Sequence, residues 1–421
     1  MPGFARVDDV LHCEGVALDT IARAVGSPVY VYSAATVRDR YARLTTALAG
    51  VPHRIHYSLK ANSSRGLLAL LRSLGSGADV VSGGELFRAR RVGFGPSDIV
   101  FGGVGKTREE LRDAVAAGVL LINVESEGEL RLLDDVAREA GRVAPVAIRV
   151  NPEISVETAH AYIKTGEKGN KFGVPHDEVL ALARLAHALP NVAFLGLDMH
   201  VGSQLSHLQP YERGTERLVA LCEQLRAEGI DSLRYLDVGG GLAVRYDAET
   251  PPDLSRFAEI MTGVAQRTGL QLILEPGRFL VGDSAVLVTE VLYRKESGGK
   301  SYVITDAGMT ELLRPSHYNA YHRIEAVRPA AGEVIADVVG PVCESGDFLA
   351  LDRAVADVQP GDLLAVHGAG AYGYAMAMNY NSRRRPAEVL VDGDRYAVIT
   401  RRETYEDLVR AECETLDWET A

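Results

Sequence analysis

The chain has 421 residues, of which 47% are hydrophobic and 24% charged, ordinary values for a globular protein with enough apolar content for two sizeable cores. Its formal net charge of -12 argues against nucleic acid and anionic membrane as main partners. The first residues, "MPGFARVDDVLHCEGVALD", lack a basic start followed by an apolar stretch, and no apolar run is long enough to span a bilayer; the expectation is a soluble, cytoplasmic protein. Cys13, Cys222, Cys343 and Cys413 form no CxxC pair and no metal-ligand spacing, so reduced thiols and no metal are expected.

After "PVYVYS", β-type runs recur in chain order: "HRIHYSL", "ADVVS", "DIVFGG", "LLINVES", "PVAIRVN", "AFLGLDMH", "RYLDVGGG" and "QLILEPG". Helical patterns separate them, such as "TREELRDAVAAG" and "SEGELRLLDDVAREAG". Eight strand–helix units predict an α/β fold, a (β/α)8 TIM barrel over residues 30–282, with a doubly wound open sheet as the alternative. Beyond Gly282 the runs are β-type with turns between them. They predict a C-terminal, mostly β domain over 283–421, to which residues 1–29 add strands.

In a barrel enzyme the chemistry gathers at the C-terminal ends of the strands. Here those ends carry Lys60, Ser82 to Glu85, Glu125, Asn151, His200 with Ser203, Gly239 to Gly241, and Glu275 to Arg278. Any one of these is explained equally well as a turn or a cap; the whole set is not. Lys60 lies between an apolar strand and the helix pattern "LLALLRSLG", with Asn62 and Ser63 in expected capping positions. Desolvation at such a place lowers an amine's pKa, and the amine can then form a Schiff base with pyridoxal 5'-phosphate (PLP). Glycines 239 to 241 can approach a phosphate closely, Glu275 can pair with a pyridine nitrogen, and His200 can stack on a ring. "FGGVGKT" resembles a P-loop, but the first glycine of that motif is replaced by Val100, which argues against nucleotide binding.

Nine stretches, "YSLKAN", "DVVSGGEL", "KFGV", "HVGSQ", "DVGGGL", "EPGR", "LLRPSHY", "CESGD" and "GAYGYAMAMNYNSRRRPAEV", together resemble the diaminopimelate decarboxylases, PLP enzymes of the alanine-racemase-like barrel class. They keep their order over nearly the whole chain. "CESGD" with "LLRPSHY" narrows the resemblance within the wider decarboxylase group. Thr310-Glu311 departs from the Asn-Asp common in that family, and no assigned residue is touched by it.

The resemblance implies decarboxylation of meso-2,6-diaminopimelate to L-lysine by a homodimer with shared active sites. Lys60 would hold PLP covalently, His200 would stack on its ring and Glu275 would meet its nitrogen. Ser203, Gly240, Gly241, Gly277, Arg278 and Tyr372 would surround the phosphate. Arg278, Arg314 and Tyr318 would bind the distal carboxylate of the substrate, Glu344 its distal ammonium, and Tyr372 would border it. Cys343 would protonate the product carbon, and Cys343 and Glu344 would come from the partner subunit. The alternatives are a PLP decarboxylase of ornithine, arginine, lysine or a carrier-bound amino acid, an alanine racemase, and a catalytically dead regulatory homologue. Arg314 with Glu344 argues against the first, Glu275 against the second, and the retained lysine and glycines against the third.

Overall fold

The computed structural model describes residues 3–154, 169–415 and 418. The eight expected runs form the parallel strands His53–Ser58, Gly77–Val80, Ile99–Phe101, Leu121–Val124, Ala144–Asn151, Val192–Met199, Tyr235–Asp237 and Gln271–Leu274. Each pairs with its successor, and the eighth pairs with the first, Leu272 opposite His53, so the sheet closes. Closure excludes the open doubly wound sheet. The strands are buried along most of their length, as expected of a parallel sheet with helices outside and side chains within.

Helix starts fix the loops at the barrel mouth. The Ser82, Thr107 and Ser126 hydroxyls accept the backbone N–H three residues on, at 3.2 Å each, and so turn the chain sharply from strand to helix. The helix after Lys60 departs from expectation. It runs Arg65–Ser73 with Ser64 as its first cap residue and no side-chain cap bond. Asn62 instead accepts from the Ser64 N–H at 2.9 Å and donates to the Tyr32 hydroxyl at 2.9 Å, because its amide can serve a local turn and a distant strand together. The last strand is followed only by the four-residue helix Arg278–Val281. The helix Ala34–Ala47, which precedes the first strand, packs against Leu254–Thr268, Arg65–Ser73 and Arg278–Val281 and fills the eighth position of the outer ring.

The second sheet runs in the order Phe348–Ala356, Glu333–Val339, Lys300–Thr305, Ala285–Ser297, Val29–Ser33, Ala387–Asp392, Arg395–Thr400. Leu363–His367 also pairs with Ala285–Ser297 and carries Ile324–Ala326 on its other side. Val29–Ser33 is antiparallel to the start of Ala285–Ser297 and parallel to Ala387–Asp392, so this strand, placed by sequence at the start of the barrel region, pairs within the β sheet. Its residues are buried throughout, and only a position between two strands gives them that cover. Phe4–Val7, Val10–Cys13 and Val16–Ala17 form a small separate sheet rather than extending the large one. With the helix Leu18–Val25 it packs Leu11, Leu18 and Ile21 onto Val29, Val31, Val286 and Val389. Among the described residues no helix is long and apolar enough to cross a membrane.

Candidate active site

A cavity of about 570 Å³ opens at the C-terminal ends of the barrel strands, large enough for a cofactor with a small substrate. Lys60, His200, Ser203, Arg278, Arg314, Tyr318 and Tyr372 all line it. Lys60 sits in a single 3-10 turn, Leu59–Ala61, directly after the first strand. Leu59 and Ala61 are fully buried, so the residue between them turns the other way, into the cavity. The Lys60 Nζ lies 3.8 Å from the Asp79 carboxylate, which also accepts from the Ser58 hydroxyl at 2.6 Å. Burial pulls the pKa of this amine down, but Asp79, then Tyr372 and Glu275, outweigh it and hold the pKa above the usual lysine value. The sequence leads one to expect desolvation to win, because Asp79 meets the lysine only across two neighbouring strands.

His200 follows the sixth strand, and its Nδ1 accepts from the Gly240 N–H at 3.2 Å. An accepting Nδ1 leaves the proton on Nε2, so the ring is neutral. Burial, then the charges of Lys60 and Arg149, hold its pKa well below the ordinary histidine value, in agreement with that tautomer. The glycine run is wedged between two loops. A Cβ on Gly240 would stand 2.2 Å from the Glu275 carbonyl oxygen, and one on Gly241, at φ +115°, 2.2 Å from that of Gly202. Gly277 brings the short helix Arg278–Val281 against the lysine turn, since a Cβ there would stand 3.0 Å from that of Ala61. Tyr372 meets the same turn, its N–H donating to the Ala61 carbonyl at 2.8 Å.

Glu275 follows the eighth strand directly and does not line the cavity. It is buried, and its Oε1 has no hydrogen-bond partner. The Asp198, Asp237 and Glu275 carboxylates lie within 4.8 Å of one another. Asp237 turns one oxygen to the Gly239 N–H at 2.9 Å, which leaves the other facing this group. Burial first, and then mutual repulsion, raises the pKa of Glu275 and of Asp237 well above the usual carboxylate value. Arg149 partly offsets its charge, with its Nη1 2.9 Å from Glu125 and its Nε 3.8 Å from Asp198.

Arg278 donates to the Tyr246 hydroxyl at 2.9 Å and to the Ser203 hydroxyl at 3.2 Å, while its Nε is buried without a partner. Its guanidinium lies 4.8 Å from the centre of the Tyr372 ring. Arg314 and Tyr318 begin and end one short helix. Of the predicted site residues, Gly240, Gly241, Glu275 and Gly277 do not line the cavity but belong to the loops and strand ends packed around it, and Cys343 and Glu344 stand apart from it. These last two lie exposed on the loop before Phe348–Ala356, where the Cys343 N–H donates to Asn381 at 3.1 Å and the Tyr380 hydroxyl lies 3.5 Å from Glu344.

Sequence reasoning missed Asp79, Arg149, Asp198 and Asp237, which set the charge of the site. Each is a charged residue near the end of an otherwise apolar barrel strand, and that interruption was a readable signal. It also missed Gly103, Val104 and Gly105, which line the cavity from within the discarded P-loop-like stretch. The lysine of that stretch, Lys106, donates to the carbonyls of Gly103 and Asn123 and to Glu129, all at 2.7 Å, so its three protons are already engaged.

These groups fit PLP. An amine stands in the cavity, a buried carboxyl has one oxygen without a partner, a flat neutral imidazole lines the wall, and a buried guanidinium keeps one N–H without a partner. Residues 34–282 match the family described as pyridoxal-dependent decarboxylase, pyridoxal binding domain. The diaminopimelate decarboxylase of Pseudomonas aeruginosa is 46% identical over 413 residues, covering 98% of this chain and 99% of that protein. The crystal structure of diaminopimelate decarboxylase from Helicobacter pylori, complexed with L-lysine, superposes with a TM-score of 0.90 at 40% identity, covering 94% of this chain and 98% of that one. That of M. jannaschii, also with L-lysine, gives 0.93 at 33% identity, covering 98% of each. With the PLP-ready site, identity at this level over nearly the full length of both proteins places the chain in the diaminopimelate decarboxylase family of PLP-dependent carboxy-lyases.

Proposed function

We propose that this chain removes CO2 from meso-2,6-diaminopimelate to give L-lysine. The observation that carries the reading is the pair Arg278 and Arg314, two guanidiniums at the wall of a cavity that also holds Lys60. Burial, and then the repulsion of Arg278, pull the Arg314 pKa below the usual arginine value, while neighbouring tyrosines oppose them. Such a wall selects a substrate whose far end carries a carboxylate, which the forked N–H groups of arginine bind in two-point fashion. Ornithine and cadaverine-like amines lack that group at the far end.

When bound, PLP supplies the electron sink that accepts the electron pair of the breaking carbon–carboxylate bond. Lys60 would hold the cofactor covalently. Glu275 would meet its ring nitrogen with the oxygen that has no other partner. His200, neutral, would stack on the ring. Ser203, Gly240, Gly241, Gly277, Arg278 and Tyr372 would surround the phosphate. Arg278 with Arg314 and Tyr318 would bind the distal carboxylate, Tyr372 bordering the substrate. A proton must replace the departing carboxylate, and Cys343 donates it. Cys343 and Glu344 lie outside the cavity of their own chain, which supports a homodimer in which each copy contributes both residues to the other's site, Glu344 meeting the distal ammonium. The net charge and the lack of a membrane-crossing helix among the described residues support a cytoplasmic enzyme.

The test is CO2 release from meso-diaminopimelate, ornithine, arginine and lysine by the PLP-loaded protein. Diaminopimelate should be the preferred substrate. Faster release from ornithine, arginine or lysine would overturn the reading.

A further inference from the structure

Arg314 reaches the cavity from a helix of five residues, too short to hold a long side chain in place. What aims it lies behind. Its Nη1 is 2.9 Å from the Nε2 of His322, and its guanidinium carbon sits 4.4 Å from the centre of the Tyr246 ring. His322 is fully buried and meets the same tyrosine edge to face, with ring centres 5.6 Å apart. The Nδ1 of His322 lies 2.7 Å from the carbonyl oxygen of His367. A carbonyl only accepts, so Nδ1 carries the proton and Nε2 presents a lone pair to the arginine. Burial, and then the arginine itself, hold the pKa of His322 well below the histidine range, in keeping with a neutral ring.

We propose that His322 is a positioning residue for substrate selection, a neutral acceptor that aims Arg314 at the distal carboxylate while leaving its charge intact. An aspartate or glutamate in the same place would aim the guanidinium equally well but would neutralise it and compete with the substrate carboxylate. The uncharged imidazole does the first without the second, and the face of Tyr246 closes the remaining side by a cation–π contact. The inference rests on the reading that Arg314 binds the distal carboxylate, and the controls separate the two.

The experiment compares the binding of two small amines to the PLP-loaded enzyme, L-lysine, which keeps the distal carboxylate, and cadaverine, which is the same diamine without it. Arg314→Ala should weaken lysine and spare cadaverine; if it does not, the reading of Arg314 fails. His322→Asn keeps a donor toward the His367 carbonyl and loses the acceptor toward Arg314. It should weaken lysine about tenfold, the scale of one hydrogen bond to a charged group, with cadaverine unchanged. For diaminopimelate it should raise KM by about the same factor and leave kcat within about twofold. His322→Gln restores an acceptor and should bind lysine within about threefold of the parent. The proposal is overturned if Arg314→Ala discriminates between the amines while His322→Asn binds both as the parent does, or weakens both equally. A selective loss of lysine in His322→Gln overturns it independently, whether or not the asparagine chain folds.

Discussion

The lysine proposed to hold the cofactor lies among acids, not in an apolar pocket. Asp79 keeps the Lys60 amine charged in the absence of PLP, so it reaches the cofactor through an ammonium that must first lose a proton. Lys60→Ala should purify folded, because Asp79 keeps its hydrogen bond from the Ser58 hydroxyl at 2.6 Å, but it should lack the visible absorbance of covalently held PLP and the band trapped by borohydride. Retention of either would remove Lys60 from its role. Glu85, in the helix after the second strand, accepts from the Val81 N–H at 2.9 Å. Burial pushes its carboxyl up to about 7, against that hydrogen bond and with help from Asp79. The folded pKa is therefore above the unfolded one. The native state holds a proton that the unfolded chain gives up, so the stabilisation is complete below about pH 4.5 and is lost as pH rises to about 7. Glu85→Gln should flatten the fall in stability over this window, read from urea midpoints at about pH 5 and about pH 8. An unchanged slope would show that Glu85 titrates alike in both states.

At the level of elements, the glycine loop, the last strand and the lysine turn are fitted to one another by backbone contact. Gly240→Ala places a methyl 2.2 Å from the Glu275 carbonyl, where neither backbone can yield without moving the ring carboxyl. It should cost about 1–3 kcal/mol of stability and lower PLP affinity, measured by denaturant unfolding and by cofactor titration. Normal affinity would mean that the loop has slack. The eight barrel strands were legible because parallel strands covered on both faces read as short apolar runs between helical patterns. Lys60, His200, Glu275 and Arg278 were legible because each follows such a run directly. The Asn62 to Tyr32 bond was not, since an asparagine before a helix reads as a cap, and its partner lies on a strand that belongs to another sheet. The carboxylate pair of Asp237 and Glu275 was not, because the two residues meet only when the seventh and eighth strands lie side by side. The cysteine, glutamate and aspartate of "CESGD" stand out within a β domain, but only the family resemblance gives Cys343 and Glu344 a role, because a free cysteine is as readily an inert thiol.

For the whole molecule, the position of Cys343 and Glu344 outside their own cavity bears directly on assembly. If each copy completes the other's site, Lys60→Ala and Cys343→Ala chains, inactive alone, should regain activity when mixed and re-equilibrated. A mixed dimer holds one intact site of two, so recovery should approach about half of the parent value per mixed dimer. Mixed dimers seen by native mass spectrometry without activity would return Cys343 to its own subunit or to no role. The strand pairing has a further consequence, for synthesis. Val29–Ser33 is made early, but the two strands that flank it, Ala285–Ser297 and Ala387–Asp392, emerge only after the whole barrel and then nearly the whole chain have been translated. Until then "VYVYS" is an apolar, β-prone ribbon with both edges bare, the kind of segment that seeds aggregation. This early strand of the large β sheet therefore waits for nearly the whole chain before its second edge is covered, and the nascent chain depends on how quickly the barrel brings Ser284 back to Ser33, where the Ser33 N–H donates to the Ser284 carbonyl at 2.7 Å.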